Sequence, residues 1–394
     1  MNKNFVKKLT ILSLITSGFV SASCGKDVNS TGNSANAYYD PQQASSSNPA
    51  NDPSDLSRRS VDGVRPKVVI KNMFYRVNKE LGAVVDDLFG ELVSRNPNNP
   101  VNFDDVTSFN VAIHQAKLSL DSTNMDNLMK DYVLNYPDSP LSEMKQTIEA
   151  GGRMTIKGKM KQIGLRLPFE MSGMIHATPD GLMELVPDSI KTAGIPSKGL
   201  LDLFGVATQS LINVNEQRGM KISGNSIILS PGKMFPPPLM QGKVSRVETE
   251  ANKLIIYFDD GVRLERPPLP INDPTIKNYQ HVYGGAVRLV GNETHENTNL
   301  LMIDMDQSNL FDFSISEYMN HIMAGQVNVL NRAGTLLNFM PDYNDIPKRL
   351  NRKPIFKSVG DNVGEIYQTN PQSNPALTKQ KNWSNQPTPF PVRN

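Results

Sequence analysis

A single cysteine, Cys24, stands in the 394-residue chain. One thiol excludes a disulfide framework and a multi-cysteine metal site. Excess charge is also missing: 41 Lys and Arg face 39 Asp and Glu, a net of +2, and no basic cluster interleaves with aromatics. Nucleic acid is therefore excluded as a partner. No run of about 18 apolar residues occurs, so nothing reads as a membrane-crossing helix. The sequence has no G-x-S-x-G elbow, no G-x-x-x-x-G-K-[ST] loop and no G-x-G-x-x-G turn. Its 5 histidines are scattered, none with a second at zinc-ligand spacing. The chain is expected to be non-catalytic and to need no cofactor.

The N-terminus is richer in signal. Lys3, Lys7 and Lys8 precede a mostly apolar stretch from Leu9 to Val20, and Ser21-Ala22-Ser23 supplies small residues for cleavage. This apolar stretch is too short to span a bilayer, which takes about 20 residues. The placement of Cys24 behind it resembles the lipobox of bacterial lipoproteins, although Ser21 stands where Leu is usual. The resemblance implies that Cys24 is acylated and anchors the chain to a membrane. Gly25 after the cysteine implies the outer membrane, facing the periplasm. Ordinary signal cleavage leaving a free thiol is the alternative.

Residues 1–23 carry three lysines and no acid, so their removal takes the net charge from +2 to −1. Residues 24–64 are rich in Ser, Asn, Asp and Pro and read as a disordered tether. As a flexible coil, such a segment reaches roughly 30–35 Å. Residues 345–394 hold eight Lys or Arg against Asp345, Asp361 and Glu365 and read as a disordered basic tail. The body between them divides into a β-rich segment with two helices, 65–278, and a strand-and-helix extension, 279–344, packed on the same domain.

Alternation of period two marks the strands: 67–77, 109–120, a meander over 153–191, then "MKIS", "SIILS" and "KVSRVETEANKLIIYF". Pro179-Asp180-Gly181, Gly224-Asn225 and Ala251-Asn252 are the turn signals. "GAVRLVG", "NLLMIDM" and "TLLNFM" are shorter candidates. Three stretches show helical period instead. Met125, Leu128, Met129, Tyr132 and Val133 follow a cap at Ser122 or Thr123. Leu200, Leu201, Phe204, Ala207, Leu211 and Ile212 form a second stripe, and Ile315, Tyr318, Met319, Ile322 and Met323 a third, stopped by Gly325. The expected fold class is α+β: a curved, mostly antiparallel sheet wrapped around amphipathic helices. His321 lies between stripe positions and is expected to be solvated. His114 shares a strand face with Ala112, Ala116 and Leu118 and reads as a hydrogen-bonded core histidine.

The order helix, strands through "GLRLPF" (164–169), hairpin, "GIPSKGLLDLFG" (194–205) and "PPPLMQGKV" (236–244) resembles the bacterial tubular lipid-binding (TULIP-like) envelope proteins. The resemblance covers about 109–258. It implies a sheet curled round a long helix, with acyl chains held between them and no bond made or broken. Lipid contacts would then be Met125, Leu128, Met129 and Tyr132, with Leu200, Leu201, Phe204 and Leu211. Taken singly, each methionine reads first as core filling. "FPPPLM" (235–240) reads as a rigid crossover or a partner-recognised rim.

Two alternatives stand beside lipid binding. One is a non-catalytic scaffold binding envelope proteins or cell-wall polymer. The other is a Mg²⁺-dependent phosphatase, because "NLLMIDMDQS" ends a strand in Asp304-x-Asp306 and resembles the nucleophile motif of haloacid-dehalogenase-type enzymes. That chemistry needs a parallel α/β sheet, which the run of successive strands does not suggest.

Overall fold

A computed structural model describes residues 64–162, 165–193, 195–196, 214–289, 293–330 and 335–350. Cys24, the tether, the tail beyond 350 and the stripe from Leu200 to Ile212 lie outside the described residues.

The chain opens with β1 (Lys67–Arg76), β2 (Gly82–Ser94), β3 (Val101–Asn102) and β4 (Phe109–Asp121). Helix α1 (Ser122–Leu128) continues into a π turn, Met129–Val133. Next come β5 (Leu141–Ile148), β6 (Arg153–Gln162), β7 (Leu165–Ala177), β8 (Met183–Thr192) and β9 (Ile195–Pro196). After them lie β10 (Met220–Ser223), β11 (Ser226–Leu229), a one-turn helix α2 (Pro231–Met234), β12 (Leu239–Gln241), β13 (Val244–Glu250) and β14 (Lys253–Asp259). The last part holds β15 (Tyr279–Tyr283), β16 (Ala286–Leu289), β17 (Glu293–Glu296), β18 (Asn299–Asp304) and β19 (Phe311–Ser314). It ends with α3 (Tyr318–Ala324), β20 (Gln326–Leu330), β21 (Thr335–Met340) and α4 (Ile346–Leu350).

Among the described residues the protein is mostly β, as expected, with a curled, largely antiparallel sheet. That 11-stranded sheet runs β13-β14-β4-β2-β1-β15-β18-β21-β20, with β12 also on β4 and β19 also on β1. A 7-stranded sheet, β10-β11-β8-β7-β6-β5 with β9 on β8, is inserted in the chain between β4 and β12. Its strands alternate cleanly: Met144, Gln146 and Ile148 of β5 face in while Lys145 and Thr147 face water. The outer face carries ion pairs such as Lys157–Glu170 at 3.0 Å and Arg153–Asp188 at 2.8 Å.

The curl of the large sheet has a local cause. β2 slips register against β4 between Val85 and Asp87, and again between Phe89 and Gly90. Each irregularity bends and twists the strand. A Cβ on Gly90 would stand 2.3 Å from the Ala112 carbonyl oxygen, so only glycine permits that approach. Residues 279–344 are woven in rather than added on: β15 pairs antiparallel with β1, and β18 with β15. Among the described residues four pairings are parallel: β19 with β1, β21 with β18, β12 with β4 and, in a small third sheet, β16 with β3.

α1 bridges the two large sheets. Its cap is Asp121, one residue earlier than expected, whose carboxylate accepts from Asn124 N at 2.7 Å. Met125, Leu128, Met129 and Val133 are all buried. At about 1.5–3 kcal/mol each, their burial fixes α1 against the joint. Three expectations need correction. β2, β5 and β12 are additional strands. Tyr343 to Leu350 form helical turns with Ile346 buried, where the tail was expected to begin at 345. His321 is fully buried (0% exposed), because β19, β20, β21 and α4 all pack on α3.

Candidate functional site

Two apolar spaces lie in the core. The first is where the helical stripe led the sequence reading. Met125 and Met129 border a gap of about 30 Å³, or about 520 Å³ of empty space when its mouth is counted, with Met144, Met154, Met171 and Met220. The inner gap holds one or two waters. Leu128 is 1% exposed and borders neither space. Tyr132 is half-buried, and its hydroxyl accepts from Asn78 Nδ2 at 3.2 Å. Leu200, Leu201, Phe204 and Leu211 fall outside the described residues.

The second space is a trough on the inner face of the curled sheet. Its core is about 100 Å³, and about 970 Å³ of empty space is reached when the open mouth is counted. Val68, Ile70 and Tyr75 of β1, with Val77 just beyond it, form one wall, and Ala83, Val85, Leu88 and Leu92 of β2 lie beside them. Phe109, Val111 and Leu118 of β4 continue the wall, and Phe235 to Pro238 with Met240 roof it. The lining follows β1 from Val68 past the kink at Asn72, whose φ is 49, to just beyond the strand's end.

The roof explains the proline run. α2 presses against the strand that follows: a Cβ on Gly232 would lie 2.0 Å from the Met240 carbonyl oxygen. Phe235 to Pro238, with a cis Pro237–Pro238 bond, then lead into β12, which pairs with Asn110–Ala112 of β4. β14 takes the same edge of β4 from Gln115 to Asp121. Prolines cannot donate to a ladder, so they bridge above it. "FPPPLM" is thus a crossover, and it also covers the trough.

Three polar side chains line the trough and none is charged. Burial pushes the Tyr75 phenol well above its ordinary range. Gln280 is 4% exposed. Ser316 pairs its hydroxyl with that of Ser314 at 3.0 Å. Sequence reasoning missed this site because its walls come from strands far apart in the chain. The available clue was the proline run beside strands apolar on both faces.

The two aspartates of the phosphatase alternative sit differently from one another. Asp304 ends β18, is 2% exposed, and accepts from Asp306 N at 2.8 Å. Burial, with Asp342 nearby, pushes its carboxyl up to about 8. Asp342 is itself raised by burial to about 6, and accepts from Asp312 N at 2.8 Å. Asp306 is exposed and stays below the usual range, held by Ser308, whose hydroxyl donates at 2.6 Å. Among the described residues no three His, Cys, Asp or Glu side chains are grouped to hold a metal ion.

The buried histidines are structural. His321 Nε2 accepts from Ser314 N at 3.1 Å, and Nδ1 donates to Pro341 O at 2.9 Å. Only the neutral ring can do both, and burial lowers its pKa to about 4. His281 donates to Asn299 Oδ1 at 2.9 Å and is likewise lowered by burial to about 4. His114 Nδ1 lies 2.7 Å from Asp260 Oδ2.

Comparison with known proteins finds no matching family model, no matching curated relative and no matching solved structure.

Proposed function

We propose that the protein is a lipid-anchored binder of apolar, chain-like ligands, held in the bacterial envelope by acylated Cys24. The supporting observation is the trough: apolar, roofed by a proline strap and open at its mouth. Ligand sites are concave and mostly apolar, with a few placed polar groups. Its inner wall is built by β1, β2 and β4 rather than by α1. The finer expectation, a tubular wrap of sheet around helices as in the TULIP-like proteins, belongs to this proposal. In it α1 and its Met-lined gap form a second, tighter wall that ligand entry would have to spread. The phosphatase alternative is less well supported, because a carboxyl raised to about 8 is mostly protonated at neutral pH.

Uptake of the fluorescent probe N-phenyl-1-naphthylamine tests the reading, with native mass spectrometry for co-purified lipid. Val85→Trp should fill the trough and weaken probe binding by about tenfold or more, the scale of about 1.4 kcal/mol. Absence of probe binding by the parent, or unchanged binding by a folded Val85→Trp variant, refutes it.

A further inference from the structure

The polar groups of the trough narrow the ligand class, an inference that rests on the binding reading above. Gln280 lies on β15 between Ile70 of β1 and Met302 of β18, so both cross-strand neighbours are apolar. Its side chain is 96% buried (4% exposed) yet lines the trough, and its amide has no hydrogen-bond partner among the described residues. Tyr75 lines the same trough five residues further along β1 than Ile70, roughly 16 Å away. Its hydroxyl also has no partner among the described residues. Both side chains can hydrogen-bond a polar ligand atom brought into the trough. Here each group faces empty space that a ligand atom can occupy.

The sign of the missing charge matters equally. No Lys, Arg or His lines the trough, so a carboxylate or phosphate inside it would be buried without a counter-charge. That is far more costly than burying a neutral polar group. Tyr75 remains a protonated donor at any working pH, and Gln280 offers both a donor and an acceptor.

We infer that the trough selects uncharged chain-like lipids, with a hydroxyl, ester or amide group on the chain hydrogen-bonded by Gln280 or, further along the trough, by Tyr75. Anionic lipids are disfavoured unless their charge stays outside the mouth.

Displacement of N-phenyl-1-naphthylamine from the full protein at pH 8 provides the test, with dodecan-1-ol, methyl dodecanoate and dodecanoate as competitors. The alcohol and ester should displace the probe at about tenfold lower concentration than dodecanoate, and Gln280→Leu should weaken dodecan-1-ol about tenfold beyond any change in the probe's own binding. Tyr75→Phe removes a single oxygen and should weaken the alcohol or the ester several-fold; it carries the test if Gln280→Leu fails to fold. Dodecanoate competing as well as the alcohol overturns the selectivity. So does a full set of folded variants that bind dodecan-1-ol like the parent. If the parent takes up no probe at all, the binding reading falls first and this inference with it.

Discussion

Replacing Asp304 by Asn should change how stability depends on pH in a window that can be chosen in advance. The native carboxyl is raised from an ordinary value of 3.8 to about 8 by burial and by Asp342. In the unfolded chain it is ionised above about pH 5, while the native state keeps its proton until near pH 8. The folded state therefore binds more protons, and stability falls as pH rises from about 4 to about 8. Other groups cloud the lower half of that range. Asp342, raised to about 6, adds to the fall, whereas His281 and His321, lowered to about 4, oppose it up to about 6.5. Those histidines must stay neutral when folded, so their contribution is complete above about 6.5 and lost as pH drops towards 4. Between pH 6.5 and 8 Asp304 is left as the main source of slope. At about 1.4 kcal/mol per unit, the parent should lose about 2 kcal/mol across that window relative to Asp304→Asn. Asn cannot ionise, and its Oδ1 can still accept from Asp306 N. Urea unfolding at pH 6.5 and pH 8, with m-values checked for equality, measures the difference. Parallel pH dependence of parent and variant in this window would show that the native carboxyl is already ionised, and the assignment would be wrong.

Three further outcomes are expected, the first from the sequence and the others from the geometry. Cys24→Ser should abolish palmitate labelling and move the protein from the membrane to the soluble fraction; unchanged fractionation refutes the anchor. Leu128→Ala should cost about 2–5 kcal/mol in urea unfolding because the site is 1% exposed, whereas Met125→Leu should cost less than about 1.5 kcal/mol. Gly90→Ala forces its Cβ to within 2.3 Å of the Ala112 oxygen and should destabilise by about 1–3 kcal/mol. A neutral result there would mean that the β2–β4 bend does not depend on that glycine.

Much of the strand framework was legible along the chain. Turn residues marked the hairpins: Gly181 sits at φ 87, Gly224 at φ 59 and Asn252 at φ 62, conformations that these residues reach at little cost. The stripes of α1 and α3 were readable because each puts its apolar residues on one face. β2 escaped because Asp86-Asp87 interrupts its alternation. The strand absorbs the pair as a register slip, with Asp86 on Lys117 at 2.8 Å and Asp87 on Arg266 at 2.7 Å. His321 was misjudged because a helix reading knows one buried face, whereas α3 is covered by four neighbouring elements.

Period and turn chemistry are local, so the sequence alone determined that this chain folds as successive strands with short helices and carries one thiol, Cys24. Enclosure is not local. β1, β2 and β4 meet the Phe235–Met240 strap only after the β5–β11 insertion has folded out between them. Only the tertiary structure decided that the roomier apolar space lies under that strap and not beside α1. The reason is packing: the methionines of α1 fill their own side of the core, while stiff prolines lying over a bent sheet leave theirs open.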